Sequence, residues 1–235
     1  CDQFNGIHEG LVQSWKDIFP KKGEIHFAGA LENNEDTGTL QYLASTAMEA
    51  GFSTRVLDMQ ALDLQNGRFF DPAGELVNRC FKLYPWEWMV DESPDGCLAE
   101  MEWLEPIWKL VMSNKAILAT LYELFPDSPY VLPCYLSRPR SGLFCKKPIF
   151  SREGHNVSVV DIRDWEEYVR IAETEGDYNT GAYVYQEYVE PTAYSGRYPV
   201  IGSWIIGGEA AGIGIRENRM EVTDNLSEFV PHIIG

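Results

Sequence analysis

The chain has 235 residues, with 45% hydrophobic and 13% aromatic residues, enough for a packed core in one large domain or two smaller ones. Nineteen basic residues face 36 acidic ones, and the resulting net charge of −17 argues against nucleic acid and anionic membranes as partners. No apolar run approaches the ~18–20 residues of a membrane-spanning helix.

In chain order, Gln13 to Pro20 reads as a helix end and Lys21-Lys22-Gly23 as a turn. Glu24–Leu31 is a predicted strand. The polar run from Asn33 to Gly38 caps a helix in which Leu40, Leu43, Ala44, Ala47 and Met48 recur at helical spacing. Gly51 stands where that helix stops. Ser53–Met59 is a second strand, so this is β-α-β with a parallel pair and a right-handed crossover. Asn66-Gly67 and Pro72-Ala73-Gly74 are turn signals around a short hairpin. From Cys97 to about Phe125 the pattern predicts helix in two parts, restarted at Pro106 and again near Ser113-Asn114. Gly142–Phe150 and Val157–Val160 read as a hairpin. Asp164 with Glu167 forms a capping box for a helix from Trp165 to Ala172. Ala182–Val189 is a strand, and "VIGSWII" with "EAAGIGIRE" a final hairpin. The expected organisation is α/β over 1–95, connecting helices over 96–127, and α+β over 128–235.

The segment "GLFCKKPIFSREGHNVSVV" carries the sharpest chemical signal. An ammonium on a buried strand needs an anion. Lys146 and Lys147 alternate, so at most one of them faces inward. Gly154 lets backbone amides approach a ligand, and Arg152 adds a planar fork for phosphate or carboxylate. About thirty residues on, Gln186, Glu187 and Tyr188 end a strand whose edge can meet an adenine. Lys115, at a helix start, is a second cation. The same residues also fit a plainer account: paired lysines guard an edge strand, and Arg-Glu-Gly is an ordinary hairpin tip.

Five scattered cysteines, none in a CxxC pair, make a zinc site an unfavoured expectation and free thiols in the cytoplasm the favoured one. The chain begins at Cys1 rather than Met, and is expected to be part of a longer protein.

Six segments together resemble the synthetase domain of the glutathionylspermidine synthase family, over nearly the whole chain. They are "DQFNGIHEGLVQSWK" near the start, "FKLYPWEWM" (Phe81–Met89), "NKAIL" (Asn114–Leu118), "KPIFSREGHNV" (Lys147–Val157), "VYQEYV" (Val184–Val189) and "GSWIIGGEAAGIGIRE" (Gly202–Glu217). Order and spacing carry the likeness more than any one motif. The resemblance implies a glutathione-synthetase-like ATP-grasp fold preceded by a β-α-β portion that serves the substrate side. It implies an ATP-dependent carboxylate–amine ligase that works through an acyl phosphate, with a peptide-like carboxylate and a polyamine-like amine as small-molecule substrates.

By motif, Lys115 and Lys147 match lysines on the ATP phosphates, and Gln186 to Tyr188 match the adenine hinge. Arg152 matches the loop arginine that closes over the acyl phosphate, and Arg216 the arginine that steadies the transferring phosphoryl group. The family's Mg2+ ligands lie in an acidic segment expected upstream of residue 1. No metal ligand is therefore assigned within the chain, and the isolated chain is expected to be inactive as a ligase. Where glutathionylspermidine-forming members have "WKTWAWE", this chain has "FKLYPWE", so Leu83 stands for a threonine that helps hold glutathione. The amidase motif of the bifunctional members is absent from this sequence.

Several single residues admit two roles. Trp86, Trp88, Trp103 and Trp108 read as core ahead of a stacking platform. His155 is a phosphate contact or a solvated turn residue. Asp224 and Asn225 assist a metal or form a turn. Glu35 and Asp36 gain from a helix dipole whatever else they do. A non-catalytic nucleotide-binding module of the same fold is the alternative function.

Overall fold

The computed structural model describes residues 3–164, 167–178, 181–220 and 227–234. The chain divides into two compact units, one of Asp2–Leu110 with Ser203–Ile213, the other of Val111–Gly202 with Gly214–Gly235.

The first unit opens with helix α1 (Ile7–Ile18), strand β1 (Glu24–Gly29), helix α2 (Asn34–Glu49) and strand β2 (Ser53–Asp58). Asn33 caps α2 by accepting from the Glu35 amide at 2.9 Å. Gly51 turns the chain out of α2 at φ +94°, where a side chain would be strained. Three short strands follow, β3 (Asp63–Gln65), β4 (Arg68–Phe70) and β5 (Leu76–Val77), then β6 (Arg79–Leu83), α3 (Trp86–Glu92), α4 (Pro94–Cys97) and β7 (Glu102–Leu104). The main sheet runs β2-β1-β6-β7 and is parallel at every pairing, so the expected β-α-β core is present.

Both faces of that sheet are covered, which explains why β1 is apolar almost without alternation. Ile25 and Phe27 pack with Trp15, Leu40, Ala44, Ala47 and Phe52 on one side, while Ala28 joins Leu57, Phe69, Val77, Trp86 and Met89 on the other. The Phe27 ring lies 5.6 Å from that of Trp15 and 5.7 Å from that of Phe81. Leu83 packs against the first of these clusters and stands opposite Gly29.

The stretch after Cys97 corrects the sequence expectation. Residues 102–104 form β7 beside β6 rather than a helix, and only a 3-10 turn at Ile107–Lys109 and the short α5 (Leu110–Ser113) precede helix α6 (Ala116–Leu124). Leu98, Met101, Leu104 and Trp108 mimic a helical spacing, but the open edge of β6 and burial of Trp103 against Phe69 and Trp86 decide the outcome. The tryptophans also divide. Trp86 is 2% exposed and is core, whereas Trp88 and Trp108 are 40% and 61% exposed.

The second unit is built on a five-stranded antiparallel sheet of order β11-β10-β9-β12-β8. Its strands are β8 (Cys134–Tyr135), β9 (Gly142–Pro148), β10 (Ser158–Ile162), β11 (Tyr168–Glu173) and β12 (Tyr183–Glu187). The predicted helix over Trp165–Ala172 is a second correction. The Asp164 carboxylate does accept the Glu167 amide at 2.8 Å, the local bond of a helix cap, yet the chain continues as β11. A capping bond fixes only one turn, and the free edge of β10 offers β11 a full ladder. Strands β13 (Tyr198–Ile206), β14 (Glu209–Asn218) and β15 (Glu228–Val230) form the remaining sheet, and the division between the units falls within β13 and β14. In the first unit Gly212 approaches α1 so closely that a Cβ there would lie 2.8 Å from Ile7.

Candidate functional site

The nucleotide-type residues named from the sequence all lie in the second unit. Strand pairing places Lys147 opposite Val184 and Lys146 opposite Tyr185, so the two ammonium groups leave the sheet on opposite faces. Lys147 Nζ donates to Gln186 Oε1 at 2.7 Å, joining a predicted phosphate lysine to a predicted hinge residue. The Cys134 thiol lies on that side: burial raises its pKa and the nearby Lys147 charge partly offsets the rise. Val184, Cys134 and Ala119 of α6 form a small apolar cluster there.

Lys115 sits at the N-terminal end of α6. Its amide donates to the Ile149 carbonyl at 2.7 Å, and its ammonium donates to the Ser151 carbonyl and, at 2.9 Å, to the Ser151 hydroxyl. Lys115 is therefore fastened to the start of the loop that carries Arg152 and Gly154. That loop is shaped by left-handed backbone at Glu153, Gly154 and Asn156. It is tied down by Thr174, whose hydroxyl accepts from the Val157 amide at 2.9 Å and donates to the Gly154 carbonyl, and by Asn156, which accepts from the Tyr178 amide at 2.8 Å. His155 is partly buried and its ring lies 5.9 Å from that of Tyr178. Sequence reasoning missed Ser151 and Thr174. Ser151 was visible as the residue before Arg152, whereas nothing in the local sequence marks Thr174.

At the strand end, the Glu187 amide donates to Pro133 at 2.8 Å and the Tyr188 amide to Leu143 at 3.0 Å. Both N–H groups are engaged within the protein, which leaves the Gln186 side chain as the polar group facing Lys147. Arg216 stands on another sheet of the unit. It pairs in register with Phe229, and its guanidinium carbon is 5.8 Å from the Phe229 ring centre.

The donor set around Lys147, Lys115 and the left-handed loop suits the phosphates of a nucleotide. For Mg2+ the outcome differs. Among the described residues no three histidine, cysteine or carboxylate side chains gather to hold a metal, and Asp224 and Asn225 lie outside the described residues.

The segment Phe81–Met89 contributes a buried lysine in the first unit. Lys82 is 3% exposed, donates to the Tyr84 carbonyl at 2.7 Å and stacks 4.0 Å over the Trp86 ring. Burial lowers its pKa to about 8, opposed by Glu105, Glu87, Cys80 and Cys97. The neighbouring Cys80 thiol is pushed up to about 12, again by burial. Between pH 8 and 10.5 the unfolded chain holds a proton on Lys82 that the folded chain has released, so stability from this group rises with pH across that window. Lys82→Met should remove that rise. The stability difference between the variant and the unsubstituted chain is expected to shift by on the order of 3 kcal/mol across the window, read by urea unfolding at each end. A pH-independent difference would show that Lys82 does not titrate in a buried setting.

A family model described as glutathionylspermidine synthase preATP-grasp matches residues 1–235. The chain belongs to this family. Its fold is accordingly mixed α/β and α+β of the glutathione-synthetase-like ATP-grasp type. A putative acid–amine ligase of Haemophilus influenzae is 35% identical over 98% of this chain and 62% of its own length. A trypanothione synthetase of Crithidia fasciculata is 28% identical over 88% of this chain and 35% of its own. A bifunctional glutathionylspermidine synthetase/amidase of Escherichia coli is 27% identical over 98% and 42%. The chain thus spans roughly one to two thirds of the length of these relatives. Among the described residues no helix is long and apolar enough to cross a membrane.

Proposed function

We propose that this chain is the substrate-side and nucleotide-side part of an ATP-dependent carboxylate–amine ligase. The substrate carboxylate takes the terminal phosphoryl group of ATP as an acyl phosphate and ADP leaves. The amine then forms the C–N bond at the acyl carbon, losing a proton, and phosphate leaves. The observation that carries the proposal is the pairing of Lys147 with Gln186 on one sheet face, beside a loop anchored through Lys115 and Ser151.

Phosphoryl transfer asks little covalent help of a protein and much aimed positive charge. In this assignment Lys147 and Lys115 hold phosphates, Gly154 admits them to the loop backbone, Gln186 to Tyr188 border the base through groups other than the engaged Glu187 and Tyr188 amides, and Arg152 and Arg216 face the transferring group. The portion 128–235 supplies most of these contacts, while 1–95 serves the substrates and 96–127, which includes Lys115, joins them. Leu83, half-buried against the core cluster of the first unit where glutathionylspermidine-forming members carry a threonine, argues for a carboxylate substrate other than glutathione. The net charge of −17 favours a polycationic amine by attraction. The relatives named as ligases and synthetases support the reaction class, and a cytoplasmic site of action agrees with free thiols at Cys80, Cys97, Cys134 and Cys145.

The test is ADP release by the full-length protein, screened over thiol peptides and polyamines, with ATP affinity measured by calorimetry on two variants. Lys147→Ala is expected to weaken ATP binding roughly ten- to a hundredfold, the loss of one charge-assisted contact, and Lys146→Ala to leave it nearly unchanged. Equal losses from both variants would remove Lys147 from the site. Tight ATP binding with no ADP release over any substrate pair would favour the non-catalytic module.

A further inference from the structure

The five-stranded sheet has a second face, away from Lys147 and Gln186. Lys146 of β9 stands opposite Tyr185, Val160 opposite Phe144, and Ile162 opposite Tyr168, so all of these share it. Of these, Lys146, Val160, Ile162, Tyr168 and Tyr185 line a cavity of about 110 Å³ together with Arg138, from the connection between β8 and β9.

Its two cations are held by rings and, among the described residues, not by carboxylates. Lys146 Nζ lies 3.9 Å from the Tyr183 ring centre, and the Arg138 guanidinium carbon 5.1 Å from that of Tyr168. Arg138 Nη2 donates to the Asp164 carbonyl at 3.0 Å, but its buried Nε has no acceptor among the described residues. Arg55, Arg68, Arg79, Arg163, Arg170 and Arg197 each meet a carboxylate. With 36 acidic residues against 19 basic ones, acids are abundant, yet none is among the described residues that line this cavity; Glu187, opposite Phe144, and Arg170, opposite Val160 and paired with Glu173, share the face outside it.

Two cations around one cavity repel each other, and an orphaned guanidinium N–H is costly to bury. One oxyanion relieves both, because the guanidinium fork matches a carboxylate or phosphate edge. Val160, Ile162 and the two tyrosine rings then suit a compact apolar body behind the charge. We propose that this cavity binds a small organic oxyanion, a carboxylate or phosphate on a short apolar body, at a site separate from the Lys147–Gln186 face. The proposal does not depend on the ligase assignment.

The experiment titrates the full-length protein with benzoate and with phenyl phosphate, following the methyl resonances of Val160 and Ile162. Benzamide serves as the uncharged control. Saturable shifts are expected with at least one anion, unaffected by a non-hydrolysable ATP analogue. Binding should weaken roughly tenfold or more in Arg138→Gln and in Lys146→Gln, and be largely kept in Lys146→Arg. Methyl spectra remote from the cavity report whether the variants remain folded. Either anion binding in this way supports the site, and the tighter of the two identifies the headgroup. Absence of saturable shifts, equal binding of benzamide, affinity unchanged in both Gln variants, or displacement by the ATP analogue would each overturn it.

Discussion

Replacing Arg216 by alanine in the full-length protein is expected to lower turnover roughly a hundred- to a thousandfold while leaving the apparent Michaelis constant for ATP little changed. That is the size of effect seen when one preorganised donor to a developing charge is lost. The pattern follows from when the contact forms. A group that meets the phosphoryl oxygens mainly in the transition state contributes to rate and not to ground-state affinity. Arg216 is suited to such a role, since its guanidinium rests against the Phe229 ring and pairs with no carboxylate among the described residues. The ring fixes its direction without neutralising its charge. Arg152→Ala should behave in the same way, because Arg152 lies on a loop held by Thr174 and Asn156 rather than on the strand that bears Lys147. Steady-state and single-turnover rates of ADP formation measure both. A raised constant for ATP with intact turnover in Arg216→Ala would place that residue in nucleotide binding instead.

Phe27→Ala should destabilise the protein by about 3–5 kcal/mol, the usual cost of removing a fully buried aromatic ring. Phe27 is completely buried on the central strand β1 and meets Trp15 and Phe81 edge-on or tilted. The parallel strands on either side are held in register, so the cavity cannot close by a strand shift without breaking both ladders. A loss of this size is a large part of the stability of an ordinary domain. Phe27→Leu keeps much of the volume and should cost clearly less. Denaturant unfolding followed by tryptophan fluorescence reads both variants, and a loss below about 1 kcal/mol for alanine would mean that the ring is not the centre of this core.

How much of this was legible in the residues depended on the range of the interaction involved. The β-α-β start was readable because each signal is local: the cap at Asn33, helical spacing from Leu40 to Met48, and the left-handed exit at Gly51. The hairpin of β9 and β10 was readable for the same reason, and so was the rule that Lys146 and Lys147 must diverge. The family was legible in six dispersed segments, because spacing along a chain survives where single motifs do not.

What depended on distant partners was not legible. Residues 102–104 and 168–173 each carried a helix-like local pattern, and each became a strand because a neighbouring strand had an unfilled edge. Trp86 and Trp88 sit two residues apart in one motif, yet one is core and the other exposed, since only the packing of α3 distinguishes them. By itself the sequence determined the element types with strong local signals, the family, and the residue kinds available for phosphate chemistry. Only the tertiary structure decided which lysine meets Gln186, that Ser151 and Thr174 hold the loop, and that Arg138 and Lys146 share a cavity. Those outcomes are set by strand register and by contacts between residues far apart in the chain, and the local pattern of apolar and polar side chains does not encode them.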